Sequence, residues 1–314
     1  SSFELSITTD DPEADIYYTL DGSIPSVEDT TGSFYNYVNS YPDGNFLARE
    51  NKTLKYTGSV TISNRKKEPC ELATINTTFS DTTQFPDNNI FKGTVVRAKI
   101  VKDSALSPKT ATHTYFITPE GRSRYENIPV VSLVTNEAHL FDYEKGIYVP
   151  GQVADEWKND NPEAEFNGGR PANYHQEGET WEYPAYFEYY GEEDQPVLRQ
   201  NIGIRIHGGW TRAFNMKSLR LYARNSYDST NTFNYPFFGE LPSRGDPEQS
   251  VTSFRRLLLR NSGNDFYNTM YRDALMQSLV NHLPIAVQAY QPVVHFINGE
   301  YWGIYNIREK LNED

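Results

Sequence analysis

The sequence lacks almost every feature that settles a function at a glance. It holds a single cysteine, Cys70, among 314 residues, which excludes an internal disulfide and a zinc site built on cysteines. No apolar run approaches the roughly 18 residues that a membrane-spanning helix requires. Positive charge is scarce: 29 Lys and Arg stand against 42 Asp and Glu, a net charge of −13. Without a basic field there are no counterions to release, so nucleic acid is excluded as the main partner. The sequence contains no H-E-x-x-H for zinc, no G-x-S-x-G elbow, no G-x-G-x-x-G, no Walker phosphate loop and no H-R-D or D-F-G.

Aromatic residues are what the chain has in quantity, 23 Tyr and 17 Phe, beside a mean hydropathy of −0.68. Disordered chains are poor in aromatics, so this composition indicates a β-rich globular protein with a polar surface. The length exceeds one usual core and predicts two domains. No leader peptide is visible, and the opening SSFELSITT already alternates like a strand, so the chain reads as a piece of a longer one.

Residues 1–118 read as an all-β module. Phe3–Thr9 and Asp15–Leu20 alternate, and Asp21-Gly22 supplies a turn. Ser26–Lys55 and Asn64–Asn89 are long and rich in Asn, Thr, Ser and Asp, as surface loops or an added hairpin would be. Cys70 falls in the second of these, an unfavourable place for a catalytic thiol. Tyr35, Tyr37 and Tyr41 offer a sugar-stacking face or, more ordinarily, cover for a small loop core. Residues 119–127 are the linker, polar and without periodicity.

Beyond the linker, Ile128–Thr135 is a strand apolar enough for burial on both faces, and Glu137–Phe141 a single helical turn. Asp155–Asp194 carries twelve acidic residues against Lys158 and Arg170. It reads as a solvated insertion leading into a strand at Trp181–Tyr189 that pairs toward Val197–Ile206. Phe254–Arg260 is another strand. Asn268–Leu283 is the clearest helix, with Tyr271, Ala274, Leu275, Leu279 and Leu283 as its core-facing stripe, and Pro284 beyond its end. Asn298-Gly299 is the strongest hairpin signal in the chain.

The chemistry centres on Asn201–Arg224. Ile202, Ile204 and Ile206 alternate with polar residues, Gly208-Gly209 break the run, and Leu219 and Leu221 begin a second one. A glycine loop exposes backbone N–H groups, and fixed cations beside it can hold a polyanion such as a nucleotide phosphate. Lys217 is the candidate phosphate ligand, with Arg205, Arg220, Gly208 and Gly209 as further cofactor-binding candidates. The plain alternative is a hairpin with a wet, charged face. His207 reads as a packing histidine, and no cluster suggests a metal site.

Five stretches in order resemble the spore-coat protein H (CotH) kinase family. They are IPVVSLVTNEAHLFDYEKGIYVPG, GETWEYPAYFEYY, RIHGGWTRAFNMKSLRLYA, LLLRNSGNDFYNTMYRDALMQSL and QPVVHFINGEYWGIYNIREKLNED. IYYTLDGSIPS, YTGSVTI and TVVRAKIVKDSALSPKTATHTYFI resemble the fibronectin-III-like module at the C-termini of chitobiases. The resemblances imply an all-β sandwich, then residues 128–314 as an α+β kinase-like N-terminal lobe, an antiparallel sheet with one main helix. They imply a secretory kinase that uses ATP with Mg2+ or Mn2+ to phosphorylate Ser or Thr of extracytoplasmic proteins, at the bacterial cell surface, on the spore coat or outside the cell. The catalytic and metal-holding acids are then expected beyond Asp314, since Glu309, Glu313 and Asp314 lack a motif, and the fragment is expected to be inactive alone. The alternative is an extracellular binding or adhesion module that keeps such a fold without the chemistry. A cell-surface glycan could be a partner of the first module under either reading.

Overall fold

The computed structural model describes residues 2–79, 85–103, 105–125, 127–239, 241 and 249–310. Short alternating runs give short strands. The first region holds β1 (Ser2–Leu5), β2 (Asp15–Thr19), β3 (Ser33–Val38), β4 (Phe46–Asn51), β5 (Leu54–Lys55), β6 (Val60–Ser63), β7 (Thr94–Lys102), β8 (Ala105–Leu106) and β9 (Ala111–Tyr115). β7 is the hub of a five-stranded sheet, pairing β2, β8 and β9, with β5 on the far side of β2. β1 and β6 form a separate pair. Val60, Ile62 and Val96 fill the space between the two, with Leu5, Tyr18, Tyr56 and Tyr115 around them.

The polar segment between residues 26 and 55 becomes the β3–β4 hairpin. Its tyrosines do not offer a sugar-stacking face. Tyr35 and Tyr41 are buried, and their hydroxyls reach inward, to Glu137 Oε2 at 2.9 Å and from Gly151 N at 3.1 Å. Phenol rings with a buried partner for the hydroxyl are better placed inside than out.

The second region is a closed seven-strand barrel. Its strands are β10 (Val130–Val134), β11 (Tyr183–Tyr190), β12 (Leu198–His207), β13 (Ser218–Tyr222), β16 (Arg256–Arg260), β17 (Tyr290–Ile297) and β18 (Glu300–Glu309), while β14 (Phe233–Asn234) and β15 (Ser253–Phe254) form a small flap. The order is β10-β11-β12-β13-β16-β18-β17, and β17 returns to β10 in the one parallel pairing of the ring. Asn298 and Gly299, both at positive φ, make the β17–β18 turn. Val131, Leu133, Phe187, Ile202, Ile204, Leu219, Leu221, Leu257 and Leu259 belong to the core that fills it.

This overturns the expected α+β lobe with one main helix. β10 is buried along its whole length because its inner face meets the barrel core and its outer face meets Phe91 and Phe116 of the first region and Tyr125 of the linker. A sheet covered on both faces gains more by closing, which removes its edges, than by exposing a side to one helix. The helices are short: α1 (Glu137–Phe141), α2 (Gly151–Asp160) and α3 (Arg272–Leu279). α2 lies where the acidic insertion was expected. α3 covers only the middle of the predicted helix, and Tyr271, Leu275, Leu279 and Leu283 are exposed, Leu275 at 42%. It docks instead through Ala274 and through Asp273, whose carboxylate takes Arg308 Nη1 at 2.7 Å. Asp265 accepts the Arg272 N–H at 2.9 Å and starts the helix.

The stretch after Asn64 is not simply surface loop either. Leu72 and Ile75 join the barrel core, and Glu300 accepts the N–H groups of Glu71 and Ala73 at 2.7 and 2.9 Å. Two apolar side chains three residues apart, followed by a short polar run, suffice to seat this segment on the barrel mouth.

Candidate functional site

Lys217 immediately precedes β13, on the same side as Leu219 and Leu221, so its side chain enters the barrel end. It is fully buried. Its Nζ lies 2.8 Å from the carbonyl of Thr77 and 2.7 Å from that of Phe214. The rings of Tyr174 and Tyr148 lie 4.3 and 5.3 Å from it. Among the described residues no carboxylate pairs with it, and burial drives the amine's pKa well below 10.5. Two N–H donors satisfy the two carbonyls even when the amine is uncharged, which explains how it tolerates a site without a carboxylate.

The surrounding framework is rigid. Tyr148 Oη accepts Lys217 N at 2.6 Å and Trp302 Nε1 at 2.9 Å. Tyr305 Oη donates to Lys217 O at 3.2 Å. Tyr174 Oη is buried without a hydrogen-bond partner among the described residues, an unused donor whose ring packs on the lysine. Arg212 fixes the glycine loop: its Nε donates to Gly208 O at 2.6 Å, and Nη1 donates to the carbonyls of Tyr174 and His175. Gly208 is at φ +118, and a Cβ there would stand 2.7 Å from Thr211 Oγ1. Gly209 has open space around it and no positive φ.

The structure does not bring the two expected arginines to the lysine. Arg205 and Arg220 are direct cross-strand partners on the outer face of the barrel, the opposite face from Lys217. Arg205 Nη2 pairs with Glu182 Oε2 at 2.7 Å, and Arg220 Nε donates to His207 Nδ1 at 3.0 Å. Burial first, then Arg220 and Arg260, push the His207 pKa down to about 4, so it stays a neutral acceptor at physiological pH. Asp273 on α3 is engaged by Arg308 and stands 3.6 Å from Arg260, with no bond to Lys217.

Beside the capped amine opens a mainly apolar cavity of about 320 Å³, walled by Ile75, Thr77, Phe85, Met216, Phe266 and Trp302. Half of that wall comes from the inserted segment of the first region. Nothing in the local sequence announces the Thr77–Lys217 contact, made across 140 positions.

Residues 204–314 match the family model described as CotH kinase protein. The match begins inside β12 and takes in the glycine loop, Lys217, α3 and the β17–β18 hairpin, so the CotH resemblance holds for this part of the chain. Residues before 204, including those likened to a fibronectin-III-like module, lie outside it. No curated protein matches the chain. Among the described residues no group of three or more His, Cys, Asp or Glu is placed to hold a metal ion. No described helix is long and apolar enough to cross a membrane.

Proposed function

We propose that the CotH-matching part of this chain is the phosphate-binding portion of a protein kinase that acts on Ser or Thr of proteins outside the cytoplasm. The observation that carries it is Lys217, an amine buried in the matched segment with only neutral acceptors around it. A buried lysine with a structural task is ordinarily paired with a carboxylate. One left without a counter-charge, beside the unused hydroxyl of Tyr174, suits an anion. ATP supplies the transferable phosphoryl group. Lys217 and Tyr174 would hold its phosphates, and the apolar cavity between Ile75 and Trp302 would receive its base.

That site is closed here by the chain itself, since the Thr77 carbonyl occupies the amine. Access therefore requires the 71–78 segment to lift, and the amine to protonate as its surroundings become polar. The residues described do not supply a cluster of acids for Mg2+ or Mn2+. Gly208 and Gly209 form the loop that Arg212 holds in this reading, while Arg205 and Arg220 stay engaged with Glu182 and His207 on the outer face. The first region would be a fibronectin-III-like module of a secreted bacterial protein, whose insertions cover the barrel.

Calorimetric titration with ATP and Mg2+ tests the reading. Saturable binding is expected, weakened about tenfold or more in Lys217→Met. Equal binding by a folded Lys217→Met protein would refute the role of the lysine, and the chain would then be read as a binding or adhesion module.

A further inference from the structure

A second cavity, also of about 320 Å³, lies at the seam between the first region and the barrel, walled by Phe91, Phe116, Tyr125 and Tyr190. We propose that it binds an organic cation bearing N–H donors on an aliphatic stem, the chemistry of a lysine or arginine side chain or of a free diamine. The site is remote from Lys217 in its lining residues, and the inference does not depend on the phosphate reading.

Two observations point to a cation, and a third fixes the cavity wall. The aromatic wall already receives one: the Arg124 guanidinium lies 4.7 Å from the Phe91 ring centre and 5.6 Å from that of Tyr125. Ring faces carry negative potential and attract such groups. At the rim stand Glu193 and Asp194, contributed by the β11–β12 turn, which form no ion pair among the described residues. Their charge is available to a ligand. Finally, His113 reaches the cavity with its orientation fixed from behind. Its Nδ1 is 3.0 Å from Glu188 Oε1, and Glu188 is wholly buried, with its other oxygen accepting the Thr114 N–H at 3.0 Å. That carboxylate fixes the place of the ring in the cavity wall. Aromatic walls and two unpaired rim carboxylates together favour a cation with N–H groups over a neutral polyol.

The test is calorimetric titration of the whole chain with cadaverine, Nα-acetyl-lysine methylamide and Nα-acetyl-arginine methylamide, with glucose as the neutral comparator. Saturable binding of at least one cation is expected, weakened about tenfold in the doubly exposed-site variant Glu193→Gln/Asp194→Asn, whose melting temperature should not move. Binding of cadaverine alone would identify a free amine as the ligand, and binding of the blocked amino acids a side chain of a partner protein. His113→Gln should also weaken binding, but the rim variant decides if that protein is unstable. Failure of all three cations to bind, tighter binding of glucose, or full affinity in the rim variant would overturn the proposal.

Discussion

Replacing Lys217 by Met keeps the length of the side chain and removes the amine. Two opposing costs follow. The carbonyls of Thr77 and Phe214 lose their donor, at about 1–3 kcal/mol for each group left unsatisfied. Against this, the desolvation of a buried amine is relieved, which for a charged group is worth several kcal/mol. The second depends on the charge of the amine and the first does not, so pH separates them. The folded pKa lies well below 10.5, so between that depressed value and 10.5 the unfolded chain binds one more proton than the folded one. Stability of the wild type then rises with pH relative to Lys217→Met, by about 1.4 kcal/mol per pH unit inside that window, and levels off above 10.5. Urea melts of both proteins across the neutral-to-alkaline range give the difference directly, since other titrating groups cancel. A difference that does not change with pH would refute the burial of the amine without a counter-charge.

Leu259→Ala, in the barrel core, should cost about 2–5 kcal/mol, while Leu275→Ala on the exposed side of α3 should stay within about 1 kcal/mol. Paired denaturant melts check both. Asp273→Ala leaves the fully buried Arg308 without its carboxylate and should cost about 3 kcal/mol. Burial alone would raise the Asp273 pKa, but Gln277, Arg308 and Arg260 hold it below the usual value, so this contribution is present above the ordinary Asp range and fades as pH falls through the depressed one. Gly299→Ala puts a Cβ 2.4 Å from the Gly93 carbonyl at φ +84 and should lower stability by about 2 kcal/mol, read as a drop in melting temperature.

Local pattern located these strands well. β10 to β13 and β16 lie where the apolar run Ile128–Thr135, the alternation of Trp181–Tyr189 and Val197–Ile206, the run through Leu219 and Leu221, and Phe254–Arg260 placed them, and Asn298-Gly299 marks the β17–β18 turn. Closure was not legible, because it depends on the parallel contact of β10 with β17, some 160 residues apart, and on cover from the first region. The helix at Asn268–Leu283 misled for a definite reason. An apolar stripe states which face would gain from burial, not whether the neighbouring chain offers that burial; here only Ala274 of the stripe is buried, and Arg308 holds the adjacent Asp273. Lys217 was legible as a candidate from its place after a glycine loop. Its capping by Thr77 was not, since the capping group is a main-chain carbonyl and any residue could supply it.

In the proposed reading Lys217 is an anion site held shut by residues 71–78. Hydrogen exchange at the Glu71 and Ala73 amides, both bonded to Glu300, measured with and without ATP and Mg2+, distinguishes this from a purely structural lysine. Faster exchange across 71–78 on adding nucleotide is expected in the wild type and not in Lys217→Met. Nucleotide binding that leaves these amides unchanged, or the same acceleration in Lys217→Met, would contradict it.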